Sequence, residues 1–330
     1  MGIFAGEYID AWRCTQPSCA DDRVAAPSYL RSYWANTQLA VLILLCWATI
    51  AQADTYRIAS FAAPLSREGP GLLLRDIQKG EDPQIAAIQV IIDKIAPDVL
   101  ILTDFDYDHD GLAREAFTAS LTNRYSHSFA LQPNAGLATG LDLDGDGRLG
   151  DARDAQGYGR FAGDGGMAIL SRLPIDATNA VDLSAMLWRD LPGATLPQGP
   201  DGPFLSAEIQ DILRLSSTGH WIVPIVLPDG MPLSVLAFSA TPPVFDGPED
   251  LNGLRNRDEL RMWEAVLAGR IGPAPTSIVV AGNANLDPNG GAGFSGAMAA
   301  FLQNPLLQDP LPNQNTAIWP EDGPGALRVT

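Results

Sequence analysis

Residues 83–110 read PQIAAIQVIIDKIAPDVLILTDFDYDHD. From Pro83 to Ile95 apolar residues recur at helical spacing, Pro97-Asp98 breaks the pattern, and Val99 to Leu102 is the uninterrupted apolar run of a buried strand. A helix leading into an apolar strand marks α/β architecture. Outward from this unit, Tyr56 to Ala62 (YRIASFA) alternates like a strand, Leu112 to Thr122 reads as a short helix and Gly166 to Ser171 (GMAILS) as a strand. Pro192 to Pro203 reads as loop. Strands are expected at His220 to Val226 and Leu233 to Ser239, a helix at Asp258 to Ala268, and a strand at Ser277 to Ala281. No composition break or internal repeat interrupts this alternation, which predicts one domain over residues 54–330.

Composition agrees with a loop-rich globular enzyme-like domain: 46% of the 330 residues are hydrophobic and 18% charged, with 32 Gly and 26 Pro. The formal charge is −18, from 21 Lys+Arg against 39 Asp+Glu. Such a chain has no broad basic face for nucleic acid, because sequence-independent affinity comes from Lys and Arg neutralising phosphates. A phosphate-binding enzyme stays compatible with this charge if metal ions supply the positive counterpart.

Leu39 to Ile50 (LAVLILLCWATI) is an apolar run followed by Ala51-Gln52-Ala53. It is too short for a spanning helix, which needs roughly 20 residues, and it matches the core of an export signal with an A-x-A-like cleavage site. Residues 1–53 are therefore expected to be an N-terminal extension and signal peptide cut after Ala53, giving an exported, periplasmic or extracellular, protein without stable membrane insertion. An uncleaved anchor and a buried element are the alternatives. The acidic residues that precede the run, Glu7, Asp10, Asp21 and Asp22, are unusual for a signal, and a start near Leu30 would leave a compact one. All three cysteines, Cys14, Cys19 and Cys46, lie in this segment, so residues 54–330 offer no disulfide, thiolate nucleophile or Cys-ligated zinc.

Two acidic strings carry candidate chemistry. Asp142, Asp144 and Asp146, followed by Gly147 and Leu149, match the D-x-D-x-D-G-x-hydrophobic opening of a calcium loop. The twelfth position, normally a bidentate Glu, is Arg153, and Asp151 or Asp154 would have to replace it. Ca²⁺ held by the Asp142 to Asp154 loop, in a structural role, is weighed against a solvated acidic turn. Asp104, Asp106, Asp108 and Asp110 follow the apolar strand directly. Alternate residues of an extended segment face one way, so these carboxylates either point into one site at the strand's C-terminal end or begin a polar loop. Gly282-Asn283-Ala284-Asn285-Leu286-Asp287 also follows a buried strand, and its short side chains suit phosphate oxygens or a magnesium shell as well as an ordinary turn. His109, His127 and His220 sit in no metal-ligand spacing.

Taken in order, these strings resemble the endonuclease/exonuclease/phosphatase superfamily, the deoxyribonuclease-I-like metal-dependent phosphoesterases. The resemblance covers most of residues 54–330. It is most specific, to an exported bacterial branch, in SREGPGLLLRDI (Ser66 to Ile77), GLDLDGDGRLGDARDAQGYGRFAG (Gly140 to Gly163), GGMAILSRLPI (Gly165 to Ile175) and ATPPVFDGPEDLNGLRNRDEL (Ala240 to Leu260). It implies a four-layer α/β sandwich of two packed mixed β-sheets flanked by helices.

The resemblance also implies where chemistry belongs, and there this chain departs from the pattern. The family's first strand ends in a metal-site Asn, where Ala62 stands. The next ends in a Glu that binds Mg²⁺, where Asp104 is one methylene shorter. The strand before ATPP bears a phosphate-contacting His, replaced by Ser239, and the Gly-Asp-x-Asn motif reads Gly282-Asn283-Ala284-Asn285. The closing strand, with its Asp and general-base His, would begin about where the chain stops.

Two functions are thus expected. The first is an exported phosphoester or phosphodiester hydrolase, or nuclease, using Mg²⁺ at Asp104, with Asp106 beside it, Asn285 orienting phosphate, and Asp106 or His220 as an unorthodox base. The second is a catalytically inactive, calcium-stabilised family member acting as a binding or structural module. A monomer is expected in either case.

Overall fold

Asp82 begins the helix that the opening string predicts. Its carboxylate accepts the amides of Gln84 and Ile85, Pro83 occupies the first turn, and Ala96 closes the helix in the left-handed conformation before Pro97. The computed structural model of the protein describes residues 55–309. The segment expected to be an export signal and the chain beyond Asp309, with the expected position of the closing strand, lie outside these described residues. Among the described residues no helix is long and apolar enough to cross a membrane.

In chain order the elements are β1 (Ile58–Leu65), α1 (Leu72–Lys79), α2 (Pro83–Ile95), β2 (Val99–Phe105), α3 (Leu112–Ser120), β3 (His127–Phe129), β4 (Gly166–Ser171), β5 (Val181–Asp182), β6 (Gln198–Gly199), β7 (Gly202–Pro203), α4 (Ala207–Gln210), β8 (Gly219–Val226), β9 (Pro232–Ser239), α5 (Leu251–Leu267), β10 (Ile278–Asn283) and α6 (Ser295–Leu302). One sheet has the order β1-β2-β4-β3 and the other β10-β9-β8-β5; β6 and β7 form a separate small hairpin. Each large sheet is mixed. β1 runs parallel to β2 and β10 parallel to β9, while the remaining pairs are antiparallel.

The sheets pack face to face through Val99, Ile101, Met167 and Ile169 on one and Trp221, Val223, Ile225, Val235 and Ala237 on the other. Residues on alternate sides of the same strands face the outer layers. Leu100, Leu102 and Leu170 pack under Leu73, Ile85, Ile92 and Phe117 of α1 to α3. Leu236 and Phe238 pack under Leu260, Trp263 and Val266 of α5 and Phe301 of α6. This is the expected four-layer sandwich, and each fully buried aliphatic side chain stabilises it by about 1.5–3 kcal/mol. The segment expected to be loop contains the β6/β7 hairpin.

Helices α1, α4 and α6 and strands β3 and β5 stand outside the elements expected from the sequence. Helix α5 begins at Leu251, ahead of the expected Asp258, because its buried face is polar: Arg255, Asn256, Asp258 and Glu259 are all buried. A period search tuned to apolar residues cannot see such a face.

Candidate active site

The carboxyl ends of β1, β2, β9 and β10 lie at one end of the sandwich with the loops that join them. Backbone hydrogen bonds tie these loops together: Tyr107 donates to Gly163 O at 2.8 Å and Ala240 to Asn283 O at 2.9 Å, each within one sheet's loops, and Asn134 donates to Thr218 O at 2.9 Å from one sheet's loops to the other's. Asn134 is wholly buried beneath this face. Its Nδ2 donates to Ser184 O and Ser216 O, both at 2.7 Å, and its Oδ1 accepts from Arg214.

Asp104 interrupts β2. The pairing with β4 shifts register between Thr103 and Phe105, and Asp104 takes a left-handed φ of 60°. Such a bulge re-aims one side chain out of a ladder, and Asp is among the few types that tolerate the conformation. Burial pushes the Asp104 carboxyl up; a hydrogen bond from Ser66 opposes this, the Asp164 charge adds to it, and Arg160 and Arg67 oppose it. The first-strand position opposite is apolar, as Ala62 pairs with Thr103 and Ala63 is fully buried.

Asp106, expected as a metal ligand or base, is engaged as a clamp between two loops. It is buried, and its two oxygens accept the amides of Arg67 at 2.8 Å and Gly165 at 3.0 Å. Burial pushes it up to about 6, helped by the Asp164 and Asp104 charges and opposed by the two amides. Asp108 caps α3 through the amides of Leu112 and Ala113.

On the second sheet, Ser239 and Asn283 are direct cross-strand partners. Asn283 Oδ1 accepts the amide of Asn285 at 3.2 Å, and Asn285 Nδ2 donates to Ala240 O at 2.8 Å. The approach of β10 to β9 is tight: a Cβ on Gly282, whose φ is 145°, would lie 1.9 Å from Phe238 O. The structure thus brings Ser239, Asn283 and Asn285 together on one sheet and Asp104 with Ser66 and Asp164 on the other.

His220 does not face this end, and the base role expected of it fails. Its ring is fully buried between Phe238 and Trp263, 5.4 and 5.1 Å away by centroid. Nδ1 lies 2.9 Å from Ser216 Oγ and Nε2 3.1 Å from Glu259 O, so both nitrogens are committed. Burial holds the imidazole down, to about 3, against the hydrogen bond to Glu259. His109 is exposed in the turn before α3, and His127 begins β3 at the far end of its sheet.

The polar face of α5 sets the loops. Glu259 is wholly buried and accepts the amide and hydroxyl of Ser217 at 2.6 and 2.8 Å and the amide of Thr241 at 2.7 Å. Burial pushes it up to about 7, with Arg255 and these donors opposing. Arg255 donates to Leu215 O, Arg214 O and Gln156 O, and Asn256 to Thr241 O and Ala284 O. Sequence reasoning assigned none of these residues a role, although all stand in the string LRNRDEL.

In the calcium-type loop, ligand oxygens of Asp142, Asp144 and Asp146 lie within 4.8 Å of one another. Asp142 accepts the amides of Gly145, Asp146 and Gly147, which curls the loop around its carboxylate. Asp154 is not a completing ligand: it is buried and accepts Leu143 N and Gly150 N at 2.8 and 2.7 Å. Asp151 binds the amide of Arg153, whose Nε lies 3.9 Å from Asp144. Three convergent carboxylates on a tight turn fit a hard cation.

At the strand ends the fit is leaner. Asp106 and Asp108 accept backbone amides while Asp104, unlike them, has none on its half-buried carboxylate among the described contacts, which suits an Mg²⁺ held by one carboxylate, water and substrate oxygens.

The sequence profile of the endonuclease/exonuclease/phosphatase family matches residues 76–329. The chain belongs to this family. Its similarity to solved structures includes sphingomyelinase C from Streptomyces griseocarneus, at 17% identity and a TM-score of 0.43, covering 76% of this chain and 70% of that one. An endonuclease/exonuclease/phosphatase protein from Beutenbergia cavernae DSM 12333 is 16% identical with a TM-score of 0.42, covering 75% of this chain and 53% of that one. Beta toxin from Staphylococcus aureus, in a structure with bound magnesium ions, is 12% identical with a TM-score of 0.41, covering 78% and 72%. No curated protein matches the sequence.

Proposed function

We propose that this protein is an exported, monomeric phosphoester hydrolase of the endonuclease/exonuclease/phosphatase family with strongly reduced turnover, built on a calcium-stabilised sandwich. The observation that carries the reading is the bulge at Asp104, which turns a half-buried carboxylate out of the β2 ladder at the family's metal position. Asp104 would hold the divalent cation and Asn285 would orient a phosphoryl oxygen. When bound, such a cation neutralises charge developing on the phosphoryl oxygens. Among the described residues the two bases expected from the sequence are engaged elsewhere: His220 is locked in the core and Asp106 accepts two backbone amides. General-base assistance is worth roughly 10²–10⁴ in rate, so turnover is expected to fall by about that factor.

A second reading, a catalytically inactive member that binds a ligand at the same face, is favoured by Ala62, Ser239 and Asn283 replacing polar or ionisable groups of the family pattern. Hydrolysis of bis-p-nitrophenyl phosphate with Mg²⁺ or EDTA, by the wild type and by Asp104→Ala, separates the two. Slow cleavage lost with EDTA and with the substitution supports hydrolysis. Cleavage that survives both defeats the assignment of Asp104, and no cleavage at any metal concentration leaves the binding module.

A further inference from the structure

We infer that Arg160 is the anion-binding residue of the strand-end face, kept ready by an exchangeable ion pair with Glu68, and that it takes the non-bridging oxygens of a phosphate ester when that pair opens. The inference rests on the phosphoester reading and names the residue that would recognise such a group.

Two guanidinium groups lie in the electrostatic neighbourhood of Asp104, and only one has room for a ligand. Arg67 is spent: Nε pairs with Asp76 and Nη2 with Asp82, both at 3.1 Å, Nη1 donates to Ser66 O and Pro64 O, and the side chain is 13% exposed. Arg160 is built differently. Nε is anchored 3.1 Å from Asp164, a side chain only 8% exposed that also accepts the Arg160 amide. Nη1 instead points to Glu68, 2.8 Å away, which is 87% exposed while Arg160 is 38% exposed. One edge of the guanidinium is thus held by a buried carboxylate and the other by one that regains its hydration as soon as it lets go.

An exposed ion pair is weak, whereas a phosphate offers a guanidinium two charge-assisted hydrogen bonds in matching geometry. Glu68 is therefore easily exchanged for a phosphate ester. The placement suits the ligand as well. The segment from Arg160 to Gly165 folds onto β2, with Gly165 donating to Asp106 and a Cβ at Gly165 falling 3.2 Å from Asp104 Oδ1. A phosphate ester drawn to a cation at Asp104 finds Arg160 as the neighbouring guanidinium.

The test is isothermal titration of the full chain with dimethyl phosphate and with inorganic phosphate in the presence of Mg²⁺, comparing wild type, Arg160→Gln and Glu68→Gln, each with its melting temperature. Arg160→Gln is expected to weaken binding by about tenfold or more, and Glu68→Gln to tighten it several-fold, since the competing carboxylate is gone. The stronger of the two probes identifies a diester or a monoester as the preferred class. Glu68 is too exposed for its substitution to act through folding, so that arm decides even if Arg160→Gln is destabilised. A wild type that binds while both variants match it overturns the role of Arg160 alone. A wild type that binds neither probe overturns the phosphoester reading together with it.

Discussion

His220 Nε2 lies 3.1 Å from the carbonyl oxygen of Glu259, and its Nδ1 lies 2.9 Å from Ser216 Oγ. A carbonyl only accepts, so Nε2 carries the proton, and Nδ1 accepts from the serine hydroxyl. The ring is neutral and in one tautomer. With a folded value near 3 against 6.5 unfolded, His220 contributes stability that is fully present above pH 6.5 and is lost as pH falls towards 3. His220→Phe is expected to flatten that acid-side loss in a series of melting temperatures, and to leave any phosphoesterase rate within about twofold of wild type, where loss of a true base costs 10²–10⁴. A rate drop of that size with an unchanged melting curve would restore the imidazole as a base.

Glu259 titrates with the opposite sign. Its folded value is raised to about 7 from 4.5, so its contribution is complete below pH 4.5 and declines as pH rises through 7. Glu259→Ala removes the acceptor of two buried amides and a hydroxyl and is expected to destabilise the fold by about 3–5 kcal/mol by chemical denaturation. A loss below about 1 kcal/mol would show that the loops at Ser217 and Thr241 do not depend on it.

Asp106 joins the loop after β1 to the loop before β4. Since its folded value is raised to about 6 from 3.8, its contribution is present below pH 3.8 and lost as pH rises through 6. Asp106→Asn stays neutral throughout, so the fall in melting temperature between these limits should shrink. The substitution offers one oxygen where two amides need acceptors, and costs about 1–3 kcal/mol at low pH. Faster hydrogen exchange at Arg67 or Gly165 would locate the lost bond; unchanged exchange at both would contradict the clamp.

The calcium-type loop predicts a metal-dependent melting temperature. A cation that binds only the folded state at a hundredfold excess over its Kd adds about 2.7 kcal/mol. Calcium is expected to raise the melting temperature over EDTA in wild type and not in Asp144→Asn, whose carboxylate has little other work, receiving one amide at 3.2 Å. Equal curves with calcium and EDTA for wild type would leave the loop a solvated turn.

How much of this was visible before folding depended on which side chains were buried. Pro83–Ile95, with its Asp82 cap, and Gly166–Ser171 were legible to the residue, because an apolar stripe of period 3.6 and an uninterrupted apolar run are local patterns. The start of α5 was not, since Arg255, Asn256, Asp258 and Glu259 look like a solvated face until loops from elsewhere in the chain close over them. Asp142, Asp144 and Asp146 converge as their spacing predicts, for the turn that gathers them is itself local.

By itself the sequence determined the α/β class, the family and the positions where that family's chemistry should sit, because these are written in short-range pattern and in long specific strings. Tertiary structure alone decided what the polar side chains do. It buried His220 between Phe238 and Trp263, turned Asp106 and Asp154 into backbone clamps, and set the Asp104 carboxylate against Gly165. The physical reason is that the hydrogen-bond partners of a buried ionisable group are set by whatever packs around it, and for His220 and Asp106 those neighbours come from segments far along the chain.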